Sequence, residues 1–157
     1  MKNNCEKNNL NFLSKELRKI ILKVSLNSGQ AAHIGGALSM VEILISLYLF
    51  TMKIDLKNPK DRFILSKGHG FLGLLSMLFY KKLVTKKELY SFQKNGSEFI
   101  AHPIMNIKSG IETSNGSLGQ GLSYGVGLGI GYKKKNKKNS IYVLMGDGEC
   151  YEGPVWE

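Results

Sequence analysis

Ile141-Tyr142-Val143-Leu144-Met145 runs directly into Gly146-Asp147-Gly148-Glu149, and the reading of this junction decides the fold. The β-branched and apolar run, bounded by Asn139-Ser140 and Gly146, reads as a buried strand of a parallel sheet. In open α/β sheets, ligands bind beyond the carboxyl ends of the strands. Asp147 therefore stands where a carboxylate could hold a metal ion. The flanking glycines permit a sharp turn and close approach of a ligand to the backbone. Mg²⁺ takes oxygen ligands, commonly one carboxylate plus phosphate oxygens and water. The junction thus suits a diphosphate bridged to the protein by Mg²⁺, although Asp-Gly alone is also an everyday turn.

Working upstream, a glycine-rich segment, Asn115-Gly116-Ser117-Leu118-Gly119-Gln120-Gly121, leads into Gly125, Gly127, Gly129 and Gly131. A small-residue helix over 118–132 is expected. Glycine inside a helix costs about 1 kcal/mol relative to alanine, so this density needs a reason. Two remain open: close packing of the helix on the sheet, or a helix N-terminus that meets phosphate. Residues 97–117 read as loop. Thr85-Lys86-Lys87-Glu88 is a capping box opening a helix that ends by Asn95-Gly96. A helix is expected over 71–81 and a short buried strand at Phe63-Ile64-Leu65. Asn58-Pro59 marks a loop. Ser39-Met40-Val41-Glu42 is a second capping box, opening a helix that ends near Met52. Leu10, Leu13, Leu17, Ile20 and Val24 form a helical stripe over 10–27, widened by Phe12 and Ile21. Strands separated by helices predict α/β architecture, a doubly wound and mostly parallel sheet in a single domain over 1–157.

Composition excludes several classes. Hydrophobic residues make up 43% and charged residues 22%, as in an ordinary globular protein. The amino terminus has no apolar core of a signal peptide, and no apolar run is long enough to span a bilayer. The reading is cytoplasmic, with no membrane partner. Cys5 and Cys150 make no metal spacing and no disulfide framework. The formal charge is +10, from 22 Lys and Arg against 12 Asp and Glu. The lysines are dispersed over helix faces and one turn, 133–138, so no nucleic-acid partner is expected, although positive potential suits anionic substrates.

All three histidines sit in loop-like settings: Ala32-His33-Ile34-Gly35-Gly36, Lys67-Gly68-His69-Gly70 and Ala101-His102-Pro103. One such histidine is commonly a structural hydrogen bonder. Three, with none on a helix stripe, favour a polar pocket for hydroxylated and phosphorylated ligands.

Four segments then resemble, in order and spacing, the signatures of the transketolase family. They are Ser28-Gly29 with His33-Ile34-Gly35-Gly36-Ala37-Leu38-Ser39 and Glu42; residues 61–70, Asp61 to Gly70; residues 110–122, Gly110 to Leu122; and residues 146–157, Gly146 to Glu157. The resemblance covers nearly the whole chain from about Leu10. Glu152-Gly153 followed by Trp156-Glu157 is closer to transketolase than to 1-deoxyxylulose-5-phosphate synthase or the dehydrogenase members. The chain is similar to the N-terminal half of transketolases split into two polypeptides.

The resemblance implies thiamine diphosphate and Mg²⁺ as cofactors and transfer of a two-carbon ketol unit between sugar phosphates. It implies that Asp147 ligates Mg²⁺, with Gly146, Gly148 and Glu149 beside it. Gly116, Ser117 and Leu118 would line the cofactor. His69 would contact the diphosphate or the reacting centre, and His33 and His102 would bond substrate hydroxyls and assist proton transfer. Glu152 would face a partner: a pyrimidine-binding domain or C-terminal subunit on another chain, in a homo- or hetero-oligomer. Alternatives are another family enzyme, such as 1-deoxyxylulose-5-phosphate synthase, or an inactive chain that only binds partners.

The sequence departs from the family pattern at Ala32 and Ala101, where glycine usually precedes the histidine, and at Ile34, where proline is common. Alanine resists φ > 0, so reshaped loops are expected there. The family's second metal ligand, an Asn beyond Gly-Asp-Gly, and its activating glutamate are not in this sequence. The resulting expectation is a sheet incomplete at its C-terminal side, with an open strand edge, and a polypeptide inactive by itself.

Overall fold

The computed structural model describes residues 2–54 and 61–157, with side chains placed from residue 9 onward. The loop expected at Asn58-Pro59 and the side chain of Cys5 lie outside the described residues.

The first helix, α1 (Lys2–Ser28), is longer than the stripe suggested. Its buried face is Leu13, Leu17, Ile21 and Val24, at helical spacing. Ile21 is fully buried while Leu10 is exposed, so the stripe is rotated slightly from the expected one. Two short helices follow, α2 (Ile34–Leu38) and α3 (Val41–Ile45), the latter continuing into a π-helical turn (Ser46–Thr51). The capping box expected at Ser39 does not form. Met40 occupies the cap position, Ser39 Oγ donates to the carbonyl of Gly36, and Glu42 pairs instead with both terminal nitrogens of Arg18, at 2.6 and 2.9 Å. A bidentate charged partner outcompetes a backbone N–H, and this pair ties α3 to α1.

The strands β1 (Arg62–Leu65) and β2 (Ile141–Leu144) pair in parallel, with Arg62 opposite Ile141 and Leu65 opposite Leu144. Between them lie α4 (Phe71–Tyr80), α5 (Lys86–Leu89) and α6 (Gln120–Lys134). Successive strand residues face opposite sides. Phe63, Leu65, Tyr142 and Leu144 join the core built by α1, α3 and α4. Ile64 and Val143 face α6 instead, where the Gly125 position leaves room for them. Helices therefore cover both faces of the strand pair, an α/β fold with a small parallel sheet. β1 is buried from Phe63 to Leu65, but every residue of β2 is only half-buried, which corrects the expectation of a buried strand. Among the described residues β1 is its sole strand neighbour.

Residues 71–78 of α4 are all buried, as befits a helix that is apolar on every side. A Cβ at Gly73 would sit 2.9 Å from the carbonyl oxygen of Ala37, which is how α2 approaches α4 so closely. The capping box at Thr85 and Glu88 is present, but α5 ends at Leu89, well before Asn95-Gly96. Gln93 and Gly96 adopt positive φ and turn the chain. Within 97–117, Asn106 and Ile111 form an isolated antiparallel bridge, and Arg62 Nη1 donates to both oxygens of Glu112, at 2.9 and 2.7 Å, pinning the loop to the sheet. Among the described residues, no helix is long and apolar enough to cross a membrane.

Leu75 is fully buried in α4 whereas Leu26 is 85% exposed on α1. Leu75→Ala should lower unfolding free energy by about 2–5 kcal/mol, and Leu26→Ala should be within about 0.5 kcal/mol of wild type. Urea denaturation followed by circular dichroism measures both, and equal losses would contradict this core assignment.

Candidate functional site

Because β1 and β2 are parallel and adjacent, their carboxyl ends deliver two chain segments to one place. The amides of Ser66 and Lys67 both donate to the carbonyl of Leu144, at 2.9 and 3.2 Å. After β2, Gly146 and Asp147 lead into a short 3-10 turn, Gly148–Tyr151. Glu149 in that turn is 2% exposed. Its Oε1 accepts from Ser66 Oγ and from the Gly119 amide at 2.8 Å, and its Oε2 accepts from the Gly146 amide at 2.9 Å. A buried carboxylate is tolerated when it is fully hydrogen-bonded, and here three donors from three segments converge on it.

The third segment is the glycine-rich one. Asn115 Nδ2 donates to the carbonyl of Leu65 at 2.8 Å and to Thr113 Oγ1 at 2.6 Å, which fixes the segment over the end of β1. Gly119 has φ +85, a left-handed conformation that favours glycine, and a Cβ there would lie a tight 3.2 Å from Pro154. A Cβ at Gly121 would sit 2.7 Å from the Cα of Ser66. Close packing thus accounts for Gly121 and Gly125. Gly127 and Gly131 meet nothing within 4 Å, and nothing in the structure explains them.

The histidines gather here. Ring centroids of His33 and His69 are 6.0 Å apart, and those of His33 and His102 are 5.6 Å apart, both edge-on. Glycines clear the space. A Cβ on Gly36 would fall 2.5 Å from His69 Cδ2, and one on Gly68 would fall 2.7 Å from the Asn115 carbonyl and 3.2 Å from His102 Cδ2. His69 Cε1 lies close to Gly146, so the cluster adjoins the Gly-Asp-Gly turn. Burial, with the Lys67 ammonium and His33 adding to it, pushes the His69 imidazole below its ordinary pKa. Lys67 itself is buried. Its ammonium donates to Ser39 Oγ at 3.1 Å, and among the described residues it makes no ion pair.

Most of the expected residues converge on this end of the sheet, with distinct exposures. Asp147, Gly148, Gly116, Ser117, His33 and Glu152 are exposed, while Leu118, His69, His102 and Gly146 are half-buried. Gly116 and Gly148 have open space where a side chain would stand. Glu149 is the exception: expected beside a ligand, it is turned inward with both oxygens engaged by the protein. Glu152 stands at the start of a final short helix, α7 (Gly153–Trp156), on the outer side of the turn. Neither Ala32 nor Ala101 has positive φ, so alanine fits both loops without backbone strain. Sequence reasoning missed Ser66, Lys67, Thr113 and Asn115 as site-building residues. The available signal was that Ser66-Lys67 follows β1 as Gly146-Asp147 follows β2. Among the described residues, no group of three or more His, Cys, Asp or Glu side chains could hold a metal ion.

Residues 14–157 match the family described as transketolase, thiamine diphosphate binding domain. The chain is 40% identical over 148 residues to one subunit of the apulose-4-phosphate transketolase of Actinobacillus succinogenes, covering 92% of this chain and 54% of that protein. It is 39% identical over 145 residues to the 6-deoxy-6-sulfo-D-fructose transketolase subunit SqwG of Clostridium sp., covering 90% of this chain and 52% of that one. Among solved structures, the transketolase from Leishmania mexicana superposes with a TM-score of 0.83 at 26% identity, over 94% of this chain and 24% of that chain. The chain spans about half the length of the curated relatives it matches.

The lowered pKa of His69 has a defined sign. The folded state takes up its proton less readily than the unfolded chain, so stability falls as pH drops below the ordinary value of about 6.5 and the loss levels off below the folded pKa. A proton NMR titration should place the His69 midpoint below 6.5; a midpoint at or above that value would contradict the geometry described.

Proposed function

Since the chain belongs to the transketolase family through its thiamine diphosphate binding domain, we propose that it supplies the diphosphate side of the cofactor site in a transketolase that moves a two-carbon ketol unit between sugar phosphates. The observation that carries this reading is the convergence of four separated segments, around residues 33–39, 66–70, 113–119 and 146–149, on one end of a parallel strand pair.

The residues present fit the cofactor. Asp147 offers an exposed carboxylate beyond β2, and open space stands over Gly116 and Gly148. One carboxylate is sufficient from this segment for Mg²⁺, because the remaining positions can be filled by diphosphate oxygens and water. Gly116, Ser117 and Leu118 would line the bound cofactor. The buried Lys67 ammonium gives the pocket positive potential toward an anionic ligand. Thiamine diphosphate, when bound, supplies carbanion stabilisation, and the protein supplies orientation and electrostatics.

The chain's own groups act around it. His69, whose imidazole pKa is lowered by burial, can accept or donate a hydrogen bond at the diphosphate or the reacting centre. His33 and His102, edge-on to one another, can bond substrate hydroxyls and carry protons. Glu152, exposed at the start of α7, would meet a pyrimidine-binding domain. That domain is proposed to be a second polypeptide, since the relatives of similar type carry subunit names.

Calorimetric titration of thiamine diphosphate, with and without Mg²⁺, tests the cofactor assignment. Asp147→Ala should weaken Mg²⁺-dependent binding by about 10-fold or more. Unchanged affinity would remove Asp147 from the metal site. Ketol-transfer activity is expected only after the pyrimidine-binding polypeptide is added, and turnover by the purified chain alone would overturn the partner assignment.

A further inference from the structure

We infer that Glu149 is a positioning residue: its buried carboxylate sets the spacing between the Gly116–Gly119 segment and the Gly146–Asp147 turn, and so determines how tightly the two segments grip a diphosphate between them. This rests on the cofactor reading above, and it concerns a residue that does not itself face the ligand.

The geometry is specific. The Glu149 side chain bridges a strand end, a helix start and its own turn through Ser66 Oγ, the Gly119 amide and the Gly146 amide. The last two are backbone donors, one immediately before α6 and one immediately before Asp147. No other side chain among the described residues is hydrogen-bonded to both segments. The carboxylate also lies at the amino terminus of α6, where negative charge is favourable. It occupies the Gly119 N–H, so that donor is not free for a ligand. The glycine-rich segment therefore grips through the more exposed Gly116-Ser117 stretch, and Glu149 acts from behind.

Replacing the acid by its amide separates positioning from packing, because the shape is kept. Glu149→Gln retains one acceptor oxygen but turns an NH₂ group toward an N–H donor. It can hold either Gly119 or Gly146, but not both, and the spacing is released. Amide hydrogen exchange of the chain without ligand reads this directly. Protection should fall at Gly119 and Gly146 together with their neighbours, while the core amides of α4 and β1 keep wild-type protection. Affinity for thiamine diphosphate with Mg²⁺ should weaken by about 10-fold or more, as for other residues that orient ligand-bearing groups. Unchanged local protection, or a local loss with unchanged cofactor affinity, overturns the inference. A uniform loss of protection through the core identifies a folding role only and overturns it as well. Should Glu149→Gln fail to fold, Glu149→Asp decides: one methylene shorter, it should lose protection at one of the two glycine amides, and retention of both contradicts the bridge. A wild-type chain that binds no thiamine diphosphate refutes the cofactor reading, whereas the exchange data still report whether Glu149 spaces the segments.

Discussion

The carboxylate of Glu149, buried and bonded to Ser66, Gly119 and Gly146, is the constraint on which the functional end of this molecule depends. A carboxylate away from water is costly unless its lone pairs are filled. Filling them here fixes three segments that are far apart in sequence. It explains why a hydroxyl follows β1 and why the chain before α6 must pass close enough to present an amide. It also explains why the turn after β2 folds back on itself within three residues. Leaving any of these donors out would strand the charge, so the arrangement is cooperative and not a sum of independent contacts.

The parallel strand pair makes this meeting possible. Antiparallel strands would send Ser66 and Gly146 to opposite ends; parallel pairing in the observed register brings both to the same edge. The helices behind the sheet then place the remaining groups. α4 is buried on all sides, and α2 is packed against it where Gly73 meets Ala37, with Gly70, just before α4, meeting Met40, just after α2. That contact brings His33, at the start of α2, near His69, in the turn that leads into α4. Packing in the core and histidine geometry in the site are therefore one problem, linked through glycines that leave no room for a side chain.

The sequence made the elements legible where periodicity was strong. The stripe of α1 and the apolar α4 are readable because each is buried along its length, and the β2 run into Gly146-Asp147 is readable from its β-branched and apolar residues, although β2 is only half-buried. The convergence of the three histidines was legible only as a shared loop context, yet the fold does bring the rings together. What failed has local causes. Ser39-x-x-Glu42 fits the capping pattern, but Arg18, distant in sequence, takes the glutamate. α5 was overextended because positive-φ backbone at Gln93 cannot be seen in composition. The inward direction of the Glu149 side chain is not legible, because adjacency to Asp147 says nothing about which way a 3-10 turn points a side chain. Ser66 and Asn115 were overlooked because ordinary polar residues gain their role only from tertiary neighbours.

Charge is distributed unevenly across the site. Glu149 is neutralised by amide and hydroxyl dipoles, not by a cation. Lys67, buried nearby at the end of the same strand pair, is therefore left with a hydroxyl partner, Ser39 Oγ, and no carboxylate among the described residues. If the two opposite charges had paired, both would be satisfied and the pocket would be electrically dull. Kept apart, they leave Lys67 buried with a hydroxyl as its hydrogen-bond partner. Proteins accept such an arrangement chiefly at functional sites. Asp147 stands exposed at the rim of the site, whereas Lys67 and Glu149 are buried behind it. The buried and exposed charges are thus set at different depths, and the hydrogen bonds that hold Glu149 are what keep them separate.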